Sequence, residues 1–283
     1  MRVAAYQAPF LPFGSPDGIA LVTEQLAACA ELGVDLLCCP EGVIGGVALE
    51  GDGQDPNDVA LGVADGQLAD VIAPWRGSKV AVVAGFTERD PHGRLFASAA
   101  VVGPDGLAGV YRKVFPGYRT AIQPGSELPI FDIAGVAVGV MICNDAWYPE
   151  PARILAARGA ATILVPTNSG HIRDLGAATG LRSRGRSLPI ARAVDTSTTV
   201  VVADVAGHQG GRSALGSSVI VDPDGAVIRA ADPGATALLV ADVADERPTT
   251  HAPRGWDGYT NPTVTENFLA LWRDGHPAEP PPR

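Results

Sequence analysis

Lysine is nearly absent from this chain: of its 21 basic residues only Lys79 and Lys113 are lysines, and the rest are arginines. A lysine kept against that default draws attention. Ammonium and guanidinium differ in shape, hydration and ease of pKa shift, so a reactive site can require one and not the other. Cysteine is scarce too. Cys29, Cys38, Cys39 and Cys143 form no CxxC pair and no Cys/His spacing of a zinc site. Four cysteines in 283 residues argue against a disulfide framework. No apolar run reaches transmembrane length, and Met1-Arg2 leads straight into an alternating, strand-like segment rather than a signal peptide. Positive charge is in deficit, with a formal net charge of −10. Such a surface repels phosphate backbones and anionic membranes, so neither nucleic acid nor a membrane is an expected partner and the chain reads as cytoplasmic.

What is present is ample apolar material, 46% of the residues, enough for one large α/β core. Strand-like runs fall near Val3–Ala8, Val34–Cys39, Val80–Phe86, Ser98–Val102, Ala108–Tyr111, Val136–Ile142, Thr162–Val165, Thr198–Asp204, Ser217–Val221, Ala226–Ala230 and Ala237–Asp242. Helices are predicted near Gly18–Leu32, Gly66–Trp75, Glu150–Arg158 and Ala178–Val194. Val102-Gly-Pro-Asp-Gly106 and Val221-Asp-Pro-Asp-Gly225 each set a Pro-Asp-Gly turn between apolar runs. Proline presets such a turn and glycine accepts positive φ, so both read as hairpins. Helix-linked runs together with hairpins indicate an α/β fold with mixed sheets. No linker divides the chain. We assign residues 1–262 to one domain and 263–283 to a C-terminal extension, partly disordered or docked on a partner subunit.

Three polar residues share one kind of address. Glu41 follows the run ending at Cys39, Lys113 follows the one ending at Tyr111, and Cys143 follows Val136–Ile142. Ligands gather beyond the carboxyl ends of strands in α/β sheets, so neighbouring strands would bring the three together. Taken singly each has an ordinary reading: a buried thiol, a turn carboxylate, a solvated ammonium. Together they can do chemistry. A thiol is mostly protonated at neutral pH and needs a base, which a buried carboxylate can supply. An ammonium and a backbone N–H can hold the negative charge that develops when sulfur attacks an amide or nitrile. No Cys/His dyad is evident, since the five histidines are scattered through turns and loops.

At these residues the chain resembles the nitrilase superfamily of carbon–nitrogen hydrolases. The resemblance runs from about Arg2 to about Asp242. It includes the opening Val-Ala-Ala-Tyr-Gln7, the Pro40-Glu41 elbow, Tyr111-Arg112-Lys113 and Met141-Ile-Cys-Asn-Asp-Ala-Trp-Tyr-Pro-Glu150. Leu188-Pro-Ile-Ala-Arg192-Ala-Val with Thr198-Thr-Val-Val-Val also fits. The resemblance implies a four-layer α-β-β-α sandwich in homodimers or higher homo-oligomers, with no metal and no dissociable cofactor. It implies a Glu-Lys-Cys triad, here Glu41, Lys113 and Cys143. The substrate would be a small amide, an N-carbamoyl (ureido) compound or a nitrile, the first two passing through a thioester and the last through a thioimidate. The chain departs from the family where a second glutamate usually precedes a Pro-Gly pair: Tyr118 stands there, ahead of Pro124-Gly125. A phenol can donate a hydrogen bond but carries no charge at neutral pH. Altered substrate orientation, slower turnover and a non-catalytic binding protein are the three consequences this substitution leaves open.

Four further residues complete the candidate pocket. The backbone N–H of Asn144 is placed to be a second oxyanion donor, while its side chain reads equally as structural or functional. Trp147 and Asn168 are candidate substrate contacts beside Tyr118, and the loop 167–176 reads as the pocket rim. Asp145 is expected to brace the Cys143 turn. Arg173 is a candidate for a substrate carboxylate or a solvated charge. Arg182, Arg184 and Arg186 read as partners in surface or subunit-interface salt bridges.

Overall fold

Alternation along the strands decides how the layers stack. In the first strand, Arg2–Pro9, Val3 and Ala5 join one buried cluster while Ala4 and Tyr6 join another. Cys38 and Cys39 divide the same way, as expected of successive residues on a pleated strand. The computed structural model describes residues 1–246, except 175, 177 and 178 and the side chains of Thr179 and Arg182. These residues belong to one compact unit, Met1–Arg247. The extension assigned to 263–283, and the end of the domain assigned up to 262, lie outside the described residues.

Two mixed sheets face each other. The first runs in the order Arg2–Pro9, Leu36–Cys38, Ala81–Arg89, Leu95–Gly103, Gly106–Arg112, with Val205–Ala206 and Ala237–Asp242 on the outer side of Arg2–Pro9 and Leu61–Gly62 beside Ala81–Arg89. The second runs Val227–Ala230, Val219–Val221, Thr199–Ala203, Thr162–Pro166, Val136–Val140, Ile130–Ile133. Val3, Leu36, Val83 and Val101 from the first sheet meet Val138, Leu164 and Val201 from the second in one apolar cluster. The outer face of the first sheet is covered by α1 (Gly18–Glu31) and α2 (Gln67–Val71), that of the second by α3 (Pro149–Ala157) and α4 (Thr179–Thr196). The result is the expected α-β-β-α sandwich with mixed sheets. Among the described residues no helix is long and apolar enough to cross a membrane.

Local chemistry accounts for the element ends. In α1, Val22, Leu26 and Cys29 are buried at helical spacing. The helix stops at Gly33, whose φ of +66° only glycine takes cheaply, with Val34 N–H reaching back to Cys29 O (2.9 Å) and Gly33 N–H to Ala30 O (3.2 Å). Both Pro-Asp-Gly segments close antiparallel hairpins. The helix expected over Gly66–Trp75 is broken: α2 ends at Val71 and a 3-10 turn, Ala73–Trp75, follows, because Pro74 cannot donate to an α-helical ladder. One edge strand was not anticipated. Ile130–Ile133 pairs with Val136–Val140 through a two-residue turn in which Ala134 (φ 53°) and Gly135 (φ 80°) are both left-handed. Alanine is an unusual occupant of that position, so the turn carries no sequence signature.

Candidate active site

The site lies between the two sheets, where the chain leaves three strands in turn. After Leu36–Cys38 the backbone bends at Pro40-Glu41 and passes so close to the adjacent strand that a Cβ at Gly85 would sit 2.6 Å from Glu41 Cα. Gly85 therefore permits the elbow, and its N–H holds Pro40 O (3.2 Å). On Gly106–Arg112 and just beyond, Tyr111 and Lys113 are two apart and point to the same side, into the second sheet. Arg112 points the other way and pairs with Glu88 (2.6 Å). The expected strand Val136–Ile142 ends at Val140, and the chain turns into a 3-10 segment, Cys143–Trp147. Cys143 opens that segment at φ 45°, a left-handed conformation that costs a non-glycine residue of order 1–3 kcal/mol and must be held by its surroundings.

Asp145 does the holding. Its buried carboxylate accepts hydrogen bonds from Ile142 N–H (2.9 Å), Phe115 N–H (2.8 Å) and Tyr111 O–H (2.7 Å). One residue thus braces the Cys143 turn as expected and also ties it to the chain just after Lys113. Burial raises the Asp145 carboxyl, against the pull of Lys113 and its three donors.

Lys113 Nζ and Glu41 Oε1 form a buried ion pair at 2.6 Å. Burial opposes the ammonium, but the charge of Glu41 above all, with that of Asp145, outweighs it and raises the Lys113 pKa. Lys113 is therefore a fixed cation. Cys143 is half-buried, and burial, followed by the charge of Glu41, pushes its thiol up to about 12, with Lys113 pulling the other way. At rest an ammonium therefore stands beside a protonated thiol. Alkylation of Cys143 by iodoacetamide is accordingly expected to accelerate about tenfold per pH unit from pH 7 to 9, with no plateau, because the thiolate fraction keeps rising below a raised pKa. A plateau near pH 7, read by intact mass, would show a preformed thiolate instead.

Glu41, Lys113, Cys143, Tyr118, Asn144, Trp147 and Asn168 all line one cavity of about 390 Å³. Two of these side chains are already engaged with backbone. Asn144 Nδ2 donates to Phe115 O (3.0 Å), a structural use of its amide. Asn168 Nδ2 donates to Glu41 O (3.3 Å) and its Oδ1 accepts from Gly170 N–H (3.0 Å). Sequence reasoning missed the apolar wall of Val47, Leu49, Phe86 and Ile122 and, at the mouth, Arg212. Asp52 takes a hydrogen bond from Arg212 and another from Arg173 (3.0 Å), clasping the loops around Gly51, Arg173 and Arg212 together. Arg173 is thus spent on Asp52 rather than waiting for a substrate carboxylate. Arg184, expected in salt bridges, lies 4.8 Å over the Trp147 ring. Among the described residues no group of three His, Cys, Asp or Glu side chains could hold a metal ion.

Known proteins resemble this chain in sequence and fold. The profile of a carbon-nitrogen hydrolase matches residues 2–249. A nitrilase of Pyrococcus abyssi is 36% identical over 171 residues, 59% of this chain and 61% of its own length, so the match spans less than two thirds of that protein. An (R)-stereoselective amidase of Pseudomonas sp is 33% identical over 210 residues, 72% of this chain and 70% of its own. Among solved structures, a glutamate-to-glutamine mutant of the amidase from Nesterenkonia sp. AN1, with acrylamide joined to its active-site cysteine by Michael addition, superposes with a TM-score of 0.74 at 25% identity. That match covers 95% of this chain and all of the other.

Proposed function

Because the chain belongs to the carbon-nitrogen hydrolase family, we propose that it hydrolyses a small amide or N-carbamoyl compound, releasing ammonia through a thioester on Cys143. The observation that carries this reading is the convergence of a buried carboxylate–ammonium pair and a half-exposed thiol in one cavity. Glu41 takes the proton as Cys143 Sγ bonds to the carbonyl carbon. The oxyanion is held by the Lys113 ammonium and the Asn144 backbone N–H. The intermediate collapses, the carbon–nitrogen bond breaks, and Glu41 returns the proton to the departing nitrogen as ammonia leaves. A water then gives a proton to Glu41 and attacks the thioester, and the proton passes to sulfur as the acid is freed. The ion pair serves both halves: Lys113 holds the Glu41 carboxyl group in place beside the sulfur, and stays charged itself.

The nitrilase relative supports a second reading, in which a nitrile forms a thioimidate at the same sulfur. Tyr118, on the cavity wall where the family's second glutamate is expected, is assigned to orienting the substrate through its hydroxyl rather than through charge. Ammonia release across a panel of amides, ureido acids and nitriles, with intact-mass detection of an adduct at Cys143, tests these readings together. Turnover and an acyl adduct are expected from the wild type. A wild type that never acylates, beside a Tyr118→Glu variant that does, would replace hydrolysis by binding.

A further inference from the structure

Behind the nucleophile lies a second, much smaller cavity of about 60 Å³. Cys143 and Trp147 belong to its wall and to that of the 390 Å³ cavity, so the sulfur-bearing residue stands between two spaces of very unequal size. Most of the rest of the small wall comes from the second sheet and α4, including Val165, Val200, Val202 and Leu188.

The polar groups of that wall are already occupied. Ser217 Oγ donates to Asp204 (2.6 Å), Thr167 Oγ1 to Val165 O (3.1 Å), and Arg192 to Ala146 O (3.1 Å) and Asp195 (2.7 Å). The Arg184 guanidinium lies over Trp147. Apart from that guanidinium, what this leaves for an occupant is mostly apolar surface. On the same measure the space is less than a sixth of the main cavity, so it suits a short substituent rather than a ring. The groups that would activate water or hold an oxyanion, Glu41 and Lys113, line only the larger cavity. The small one is therefore a place for a substituent, not for a reacting water.

We infer that the small cavity is a subsite for a short alkyl group on the substrate's α-carbon, the larger substituent lying in the main cavity. This rests on the amide-hydrolase reading and narrows it to α-branched carboxamides. A tetrahedral α-carbon fixed over Cys143 with one large and one small substituent directs its hydrogen in only one handedness, so two cavities of unequal size select one enantiomer. Misplacing a single methyl or methylene group at a fitted apolar site costs about 10- to 200-fold in kcat/KM.

The test uses the full chain, with phenylacetamide as the unbranched reference. Both enantiomers of 2-phenylpropanamide and of its α-isopropyl homologue are compared with it by ammonia release. One enantiomer of 2-phenylpropanamide is expected to react at least about tenfold faster than the other, and the isopropyl homologue to fall about tenfold or more below it. Leu188→Ala, which enlarges the small cavity, is expected to raise the isopropyl-to-methyl ratio about tenfold. Equal rates for the two enantiomers, an isopropyl group accepted as readily as methyl, or a ratio unmoved in a folded Leu188→Ala variant would overturn the subsite while phenylacetamide turnover keeps the parent reading standing. If that variant fails to fold, the wild-type comparison decides alone. No ammonia from any of these amides would overturn the subsite, and the wider panel of amides, ureido acids and nitriles would then decide the parent reading.

Discussion

Cys143→Ala is expected to abolish ammonia release, lowering kcat by about 10⁴-fold or more, with the folded state intact. Removing a nucleophile typically costs that much, because neighbouring groups that act with it are worth little alone. The fold tolerates the change, since Cys143 is half-buried and its thiol is not a structural anchor; the turn is held by Asp145. Alanine also sits at φ 45° with no more strain than cysteine. The measurement is initial rate at saturating amide, beside an unfolding curve for each protein. A variant that keeps more than about one per cent of the rate would sink the thioester mechanism, whatever the cavity looks like.

The Glu41–Lys113 pair should give the largest effect on stability. Both side chains are more than nine-tenths buried, at 7% and 5% exposure. Lys113→Met leaves a carboxylate in the core without its counter-charge, and breaking a buried pair from one side costs about 3–5 kcal/mol. In Glu41→Gln/Lys113→Met neither group is charged, and most of that loss should return. Activity should not, because the proposed base and the proposed oxyanion cation are both gone. Urea midpoints for the single and double variants decide it. A single variant within 1 kcal/mol of wild type, or a double variant no more stable than the single, would mean that the pair is not the desolvated unit its geometry describes.

The meeting of Glu41, Lys113 and Cys143 in one cavity was legible because each stands at the end of an apolar run whose periodicity is strong, and because the resemblance covers those same stretches. The sandwich was legible for a like reason: buried central strands such as Thr162–Pro166 have little freedom to be anything else. What escaped was of another kind. The Tyr111–Asp145 bond joins residues 34 apart across the two sheets, and nothing in either local sequence announces the partner. Arg212 reaches the cavity mouth from a short hairpin, His208–Gln209 with Arg212–Ser213, whose residues read as loop. The role of Asn144 was open until its amide was seen on Phe115 O. Local pattern reports elements; it does not report which distant side chain completes a hydrogen bond.

That the reactive groups come from far-apart stretches also has a kinetic side. Glu41 and Lys113 are 72 residues apart in the chain, and each leaves a different strand of the same sheet while the thiol leaves a strand of the other. Contacts of such long range form late, after the loop-closure entropy between them has been met. The proposed machinery therefore has no partial form: a refolding chain is expected to stay inert until both sheets have docked, and regained turnover would then be a clock for the last stage of its folding.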